Sequence, residues 1–184
     1  MSAGYEFTER SELDTAIDAW ISDEASATST YGDINTWDVS AINDFSRLFI
    51  YKSTFNSDIS NWDVSNGTNF SNMFTYAQSF NQDTGDWDVS NGTNFYGMFM
   101  RANYFNQDLR SWDVSNGTDL RFMFMHATSF NQDLEYWNVW RSAYDTYFLY
   151  GANQMLSNGW HWTPSQGSLD SDNYFSGETI TGNG

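Results

Sequence analysis

Cysteine is absent from this 184-residue chain, and proline (Pro164) and lysine (Lys52) occur once each. Without cysteine there is neither a disulfide framework nor a thiolate metal site. Only 7 Lys and Arg stand against 24 Asp and Glu, a formal charge of −17 at pH 7. Nucleic-acid phosphates are held mainly by Lys and Arg, so this balance argues against a nucleic-acid partner. It argues equally against an anionic membrane surface, and it favours basic partners. No run approaches the roughly 18 consecutive apolar residues of a membrane-spanning helix, so no transmembrane segment is expected. Met1 to Arg10 shows no basic stretch followed by an apolar one, the mark of a secretory leader.

What the chain has in quantity is aromatic side chains, 19% of its residues. Tryptophans fall at Trp37, Trp62, Trp87, Trp112, Trp137 and Trp162, always 25 residues apart. The first four read Trp-Asp-Val-Ser. A fixed period of this size marks a repeat architecture whose units bury their apolar faces only against neighbours.

Ahead of the repeats, residues 5 to 27 read as a helix. Leu13, Ala16, Ile17, Trp20 and Ile21 share one face, and Thr8 or Ser11 can cap its start. Each repeat then divides in two. The pattern Ile59-x-x-Trp62-x-Val64, repeated at Leu109 and Leu134, alternates with period two and predicts a short strand. After Asn-Gly-Thr, the spacing Phe70, Met73, Phe74, Ala77 predicts one face of a short helix; it recurs at Phe95 and Leu120. Strand, turn, short helix and return loop in 25 residues is the leucine-rich-repeat plan. The expected fold is therefore α/β: a right-handed leucine-rich-repeat-like solenoid of five to six coils with an N-terminal capping helix. Its expected divisions are a capping helix and link over 1–32, the repeats over 33–164, and a C-terminal cap or loose tail over 165–184.

Phe-Asn-Gln-Asp-x-x-x-Trp-Asp-Val-Ser followed by Met-Phe-x-x-Ala resembles the repeat of BspA-type leucine-rich-repeat surface proteins. The opening Phe7-Thr8-Glu9-Arg10 to Trp20, then Tyr31-Gly32-Asp33-Ile34, resembles the segment that often precedes such repeats. The resemblance covers roughly residues 5 to 164. It implies an extracellular or cell-surface binding or adhesion role. The missing leader leaves an intracellular or virion-associated location as the alternative, with the chain a structural subunit docked in a larger assembly.

Asp38, Asp63, Asp88 and Asp113 follow successive tryptophans and should stand in one outward row. With Asp86, and with Tyr136 and Trp140 at the C-terminal edge, they form the expected binding face for a protein partner, basic in character. The competing expectation is that each Asp accepts a hydrogen bond from a backbone N–H in its own turn. A second row, Asp58, Asp83, Asp108 and Asp133, invites the same choice. Asn56, Asn81, Asn106 and Asn131 are expected to bond the backbone of adjacent coils. Asn66-Gly67-Thr68, Asn91-Gly92-Thr93 and Asn116-Gly117-Thr118 are glycosylation acceptors in form, and are expected to act as tight turns with φ > 0. His126 and His161 have no sequence-near partner for a triad or a metal site, and there is no phosphate-binding loop. The expectation is a non-enzymatic chain with no metal or cofactor. Trp87→Ala should lower stability by about 3–5 kcal/mol, the usual effect of emptying a core aromatic site; an unchanged urea midpoint would contradict the repeat reading.

Overall fold

A computed structural model describes residues 4–134, 137–139 and 147–154. The sequence expects one opening helix; two are present. α1 spans Arg10–Ser22 and α2 spans Glu24–Tyr31. Asp23 separates them. Its backbone is extended, and its carboxylate accepts from the Ser26 N–H (3.2 Å) and hydroxyl (2.7 Å), so it starts α2 rather than continuing α1. Neither expected cap forms: α1 begins after Glu9, with no side-chain cap. Its buried face is Leu13, Ala16, Ile17 and Trp20, whereas Ile21 is exposed. A single 3-10 turn, Ile34–Thr36, leads into the repeats.

The α/β leucine-rich-repeat solenoid is overturned. Among the described residues there is no strand beyond isolated parallel bridges, and α1 and α2 both precede Trp37, the first repeat tryptophan. The hydrogen bonds give the reason. The segment read as a strand closes on itself: Trp62 N–H donates to the Ile59 carbonyl (3.1 Å), and Trp87, Trp112 and Trp137 repeat the bond three residues back. An N–H turned inward to its own coil cannot extend a ladder. The segment read as a helix alternates instead. Met73, Thr75 and Ala77 donate three residues back, to Phe70, Asn72 and Phe74. Phe70, Asn72, Phe74 and Tyr76 donate to the next coil, to Asn94, Tyr96, Met98 and Met100, at 2.7–2.9 Å. An α-helix needs every N–H to bond within its own segment. Here every second one joins two coils.

The result is a stack of 25-residue coils, one turn above the next. Three further ladders cross the coils. Thr68, Thr93 and Thr118 each donate through N–H and hydroxyl to the carbonyl one coil back. Asn81, Asn106 and Asn131 donate their N–H to the side-chain oxygens of Asn56, Asn81 and Asn106. The buried indole N–H of Trp62, Trp87, Trp112 and Trp137 reaches the carbonyl 28 residues earlier. Side chains thus supply part of the inter-coil bonding that a sheet would draw from backbone alone.

The interior is columns of like residues. Phe49, Phe74, Phe99 and Phe124 stack at 5.3–5.5 Å, and Phe55, Phe80, Phe105 and Phe130 at 5.8–6.0 Å. Trp37 stacks on Trp62, and Trp112 on Trp137, both at 6.3 Å. All these side chains are buried; each contributes on the order of 1.5–3 kcal/mol by leaving water. Thr84 interrupts one column. Its hydroxyl is buried without a partner among the described residues, where Ile59 and Leu109 are apolar; nothing in the structure explains it.

The glycine of each Asn-Gly-Thr turn departs from expectation, because Gly67, Gly92 and Gly117 do not have positive φ. A Cβ at Gly67 would lie 2.3 Å from the Phe70 ring and 2.9 Å from the Val64 carbonyl. Glycine here makes room for the Phe column rather than bending the chain.

At the N-terminal end, α1 covers the first coil. Trp20 meets Trp37 edge-on at 5.8 Å and donates to the Ser57 hydroxyl, and Lys52 pairs with Asp18. Arg10 does more. In the alternating strip each coil receives its inter-coil bonds on carbonyls that face the preceding coil. The first coil has no such neighbour. The Arg10 guanidinium takes that place, donating to the carbonyls of Asp44 (2.8 Å) and Ser46 (2.7 Å) while bonding Asp14. Arg10→Met should therefore lower stability by about 1–3 kcal/mol, the range for charge-assisted bonds to carbonyls left half-buried. Arg10→Lys, without the fork, should recover only part of it. A thermal midpoint unchanged in the Met variant would refute the capping role.

Candidate interaction surface

The side of each coil that carries tryptophan carries the acids. Asp38, Asp63, Asp88 and Asp113 are all exposed, as is Asp86. Each of the four accepts the backbone N–H two residues on, at Ser40, Ser65, Ser90 and Ser115, at 2.9–3.0 Å. The Ser40 hydroxyl adds a 2.6 Å bond to Asp38. The second row does the same: Asp58, Asp83 and Asp108 accept from Ser60, Gly85 and Arg110. Both rows are therefore turn caps whose charge still faces water. Tyr136 and Trp140, expected at the edge of this face, lie outside the described residues, as do His161, the final Trp162 and the 165–184 tail.

The hydroxyl and backbone N–H of the following serine hold the carboxyls of Asp38, Asp88 and Asp113 below the usual range. Asp88 pushes back slightly on Asp113, the signature of a like-charge column. Arg110 lowers Asp108. The amide nitrogens of Asn66, Asn91 and Asn116 donate to the carbonyls of Ser40, Ser65 and Ser90, so the atom that would carry a glycan already bonds the preceding coil.

The alternating strip presents a second surface, whose residues were not among the candidate binding residues read from the sequence. Two positions of every coil have left-handed backbone. One column is Arg47, Asn72, Gly97, Phe122 and Tyr147; the other is Tyr51, Tyr76, Arg101, His126 and Gly151, all at φ between 56° and 74°. Non-glycine residues there cost roughly 1 kcal/mol each. Glycine sits unstrained at one coil of each column, yet the other coils hold large side chains. Arg101 lies over the Tyr76 ring and Arg121 over Tyr96, both at 5.3 Å, and Tyr51 meets Tyr76 at 5.2 Å. His126 packs against Tyr150, and its pKa is lowered by burial and then by Arg101. It stands on a turn rather than an outer helix. The signal available in the sequence was disagreement: Arg47, Asn72, Gly97 and Phe122 differ in every copy, as do Tyr76, Arg101 and His126.

Among the described residues no group of three or more His, Asp or Glu is placed to hold a metal ion, and no helix is long and apolar enough to cross a membrane. Because Asn69 and Asn94 cap their own turns with a side-chain oxygen just as Asp44 and Asp119 do, cap and charge are separable. Asp63→Asn with Asp88→Asn and Asp113→Asn should fold with a near-unchanged urea midpoint. The Ala triple should lose about 0.5–1 kcal/mol per turn, the low end for a hydrogen bond because the sites are exposed. A carboxyl held low stabilises above its unfolded pKa of about 3.9 and ceases to as pH falls through its folded value. Wild-type stability should then hold from pH 7 to about 5 and drop below about 4, less steeply in the Asn triple. Identical acid limbs would contradict the caps.

The family described as "Mycoplasma protein of unknown function, DUF285" matches this chain over residues 21–137, 75–162 and 94–180, three overlapping stretches that follow its repeats. No curated protein and no solved structure matches it.

Proposed function

The chain belongs to the DUF285 family, whose function is unknown, and from the two faces of its stack we propose a non-enzymatic protein-interaction or adhesion module. The observation that carries this reading is the division of labour within the repeat. The core aromatics and the turn-capping Asp recur from copy to copy, whereas the left-handed positions of the alternating strip change from Arg47 to Asn72, Gly97 and Phe122, and from Tyr76 to Arg101 and His126. Such a scaffold holds variable side chains on a rigid frame. His126 on that strip packs against Tyr150 and lies near enough to Arg101 to feel its charge.

The acidic rows suit a basic partner. The one arginine in their described part, Arg110, is bonded to Asp108, so attraction there is weak and sensitive to salt. The resemblance to BspA-type surface proteins supports a place at the cell surface. Two measurements test the reading. Proteinase K applied to intact cells of the source organism should digest the chain. Purified chain should be retained by immobilised cytochrome c, a basic probe, at 20 mM salt, and about tenfold less well in the Asp63, Asp88 and Asp113 Asn triple or at 200 mM salt, since exposed charge pairs are screened over about 8–10 Å. A chain protected in intact cells removes the adhesion role; equal retention of the triple variant removes the acidic row.

A further inference from the structure

We propose that the alternating strip, and not the acidic face, is the principal docking surface, and that its occupant is a protein segment presenting carboxylates among apolar side chains. This rests on the interaction-module reading and names the site and partner chemistry within it. Three observations converge. The first is composition: Tyr and Arg dominate the strip, as they do the centres of protein interfaces. Tyr51, on the strip, is 65% exposed, as is Tyr104 in the return loop beyond it. The second is charge. In a chain with 24 acids and 7 bases, Arg47 and Arg101 make no ion pair among the described residues. The acids at the rim of the strip are matched, Asp119 by Arg121 and Asp44 by Arg10. Guanidiniums without an ion pair, that of Arg101 lying over the half-buried Tyr76 ring, complement carboxylates supplied from outside.

The third is backbone conformation. Arg47, Tyr51, Tyr76 and Arg101 stand at positive φ where Gly97 and Gly151 show that glycine fits. The contacts these side chains make, Arg101 over Tyr76 and Tyr51 against Tyr76, return about what the left-handed conformation costs, so their net use is in what they present. A basic partner is disfavoured by the guanidiniums, and nucleic acid by the scarcity of Lys and Arg to hold its phosphates.

A random twelve-residue peptide library displayed on phage, selected against the whole chain, tests this. Recovered peptides should be rich in Asp and Glu with aromatic or aliphatic neighbours. By fluorescence anisotropy, Arg101→Gly and Tyr51→Gly should each weaken them at least tenfold, and Arg101→Lys should restore only part of the loss. Both glycine variants should keep a urea midpoint equal to or above that of the wild type, which separates lost docking from lost folding. The Asp63, Asp88 and Asp113 Asn triple should bind the peptides as well as the wild type. Lysine-rich peptides lost in the Asn triple but kept by Arg101→Gly would overturn the strip as the site while leaving the interaction module standing. Failure to recover any peptide above a blank selection would overturn the assignment, as would binding confined to acidic glycans.

Discussion

The fold depends on one constraint: every second N–H of the Phe-x-x-Met-Phe-x-x-Ala segment must leave its own coil. Phe70, Asn72, Phe74 and Tyr76 reach forward to the next coil, while the residues between them close three-residue turns. That alternation requires two left-handed residues per coil, at Asn72 and Tyr76 and their equivalents, and it fixes the repeat at 25 residues so that each donor meets a carbonyl. The columns of Phe and Trp follow from the register. A one-residue insertion would move each ring off its neighbour and each N–H off its acceptor at once. Apolar burial and backbone bonding are therefore satisfied together or not at all.

Much of this was legible. Trp37 to Trp137, Phe70, Phe74 and Phe80 announce themselves by period, and all are buried. The Asn56 to Asn131 ladder was foreseen as a bond between coils. The local geometry was not. Apolar residues at i, i+3, i+4 and i+7 describe one face of a helix, but they equally describe consecutive turns closed three residues back. Composition does not distinguish the two, because most of the left-handed positions hold Arg, Asn, Tyr, Phe or His, with glycine only at Gly97 and Gly151. Conversely the visible glycines misled. Gly67 stands next to Asn66, the usual mark of a left-handed turn, yet it serves the ring of Phe70.

The candidate surfaces were half legible for the same reason. Asp63 and its equivalents form the outward row that their spacing demands, but a carboxylate in Trp-Asp-Val-Ser serves its own turn before any partner. The strip carrying Tyr51, Tyr76 and Arg101 escaped notice because repetition draws the eye to what recurs. Its residues differ from copy to copy, and their shared conformation is a property of the backbone alone.

The direction of the bonds has a mechanical consequence. Inter-coil hydrogen bonds and the aromatic columns both run along the stack, so tension applied to the chain ends loads one junction at a time rather than all together. Each coil that comes free lengthens the chain by 25 residues, about 80–90 Å when drawn out, against the few ångströms it occupied in the stack. A molecule anchored at one end and attached at the other would yield in steps and absorb work at each, with the remaining coils still folded and their surfaces still in place.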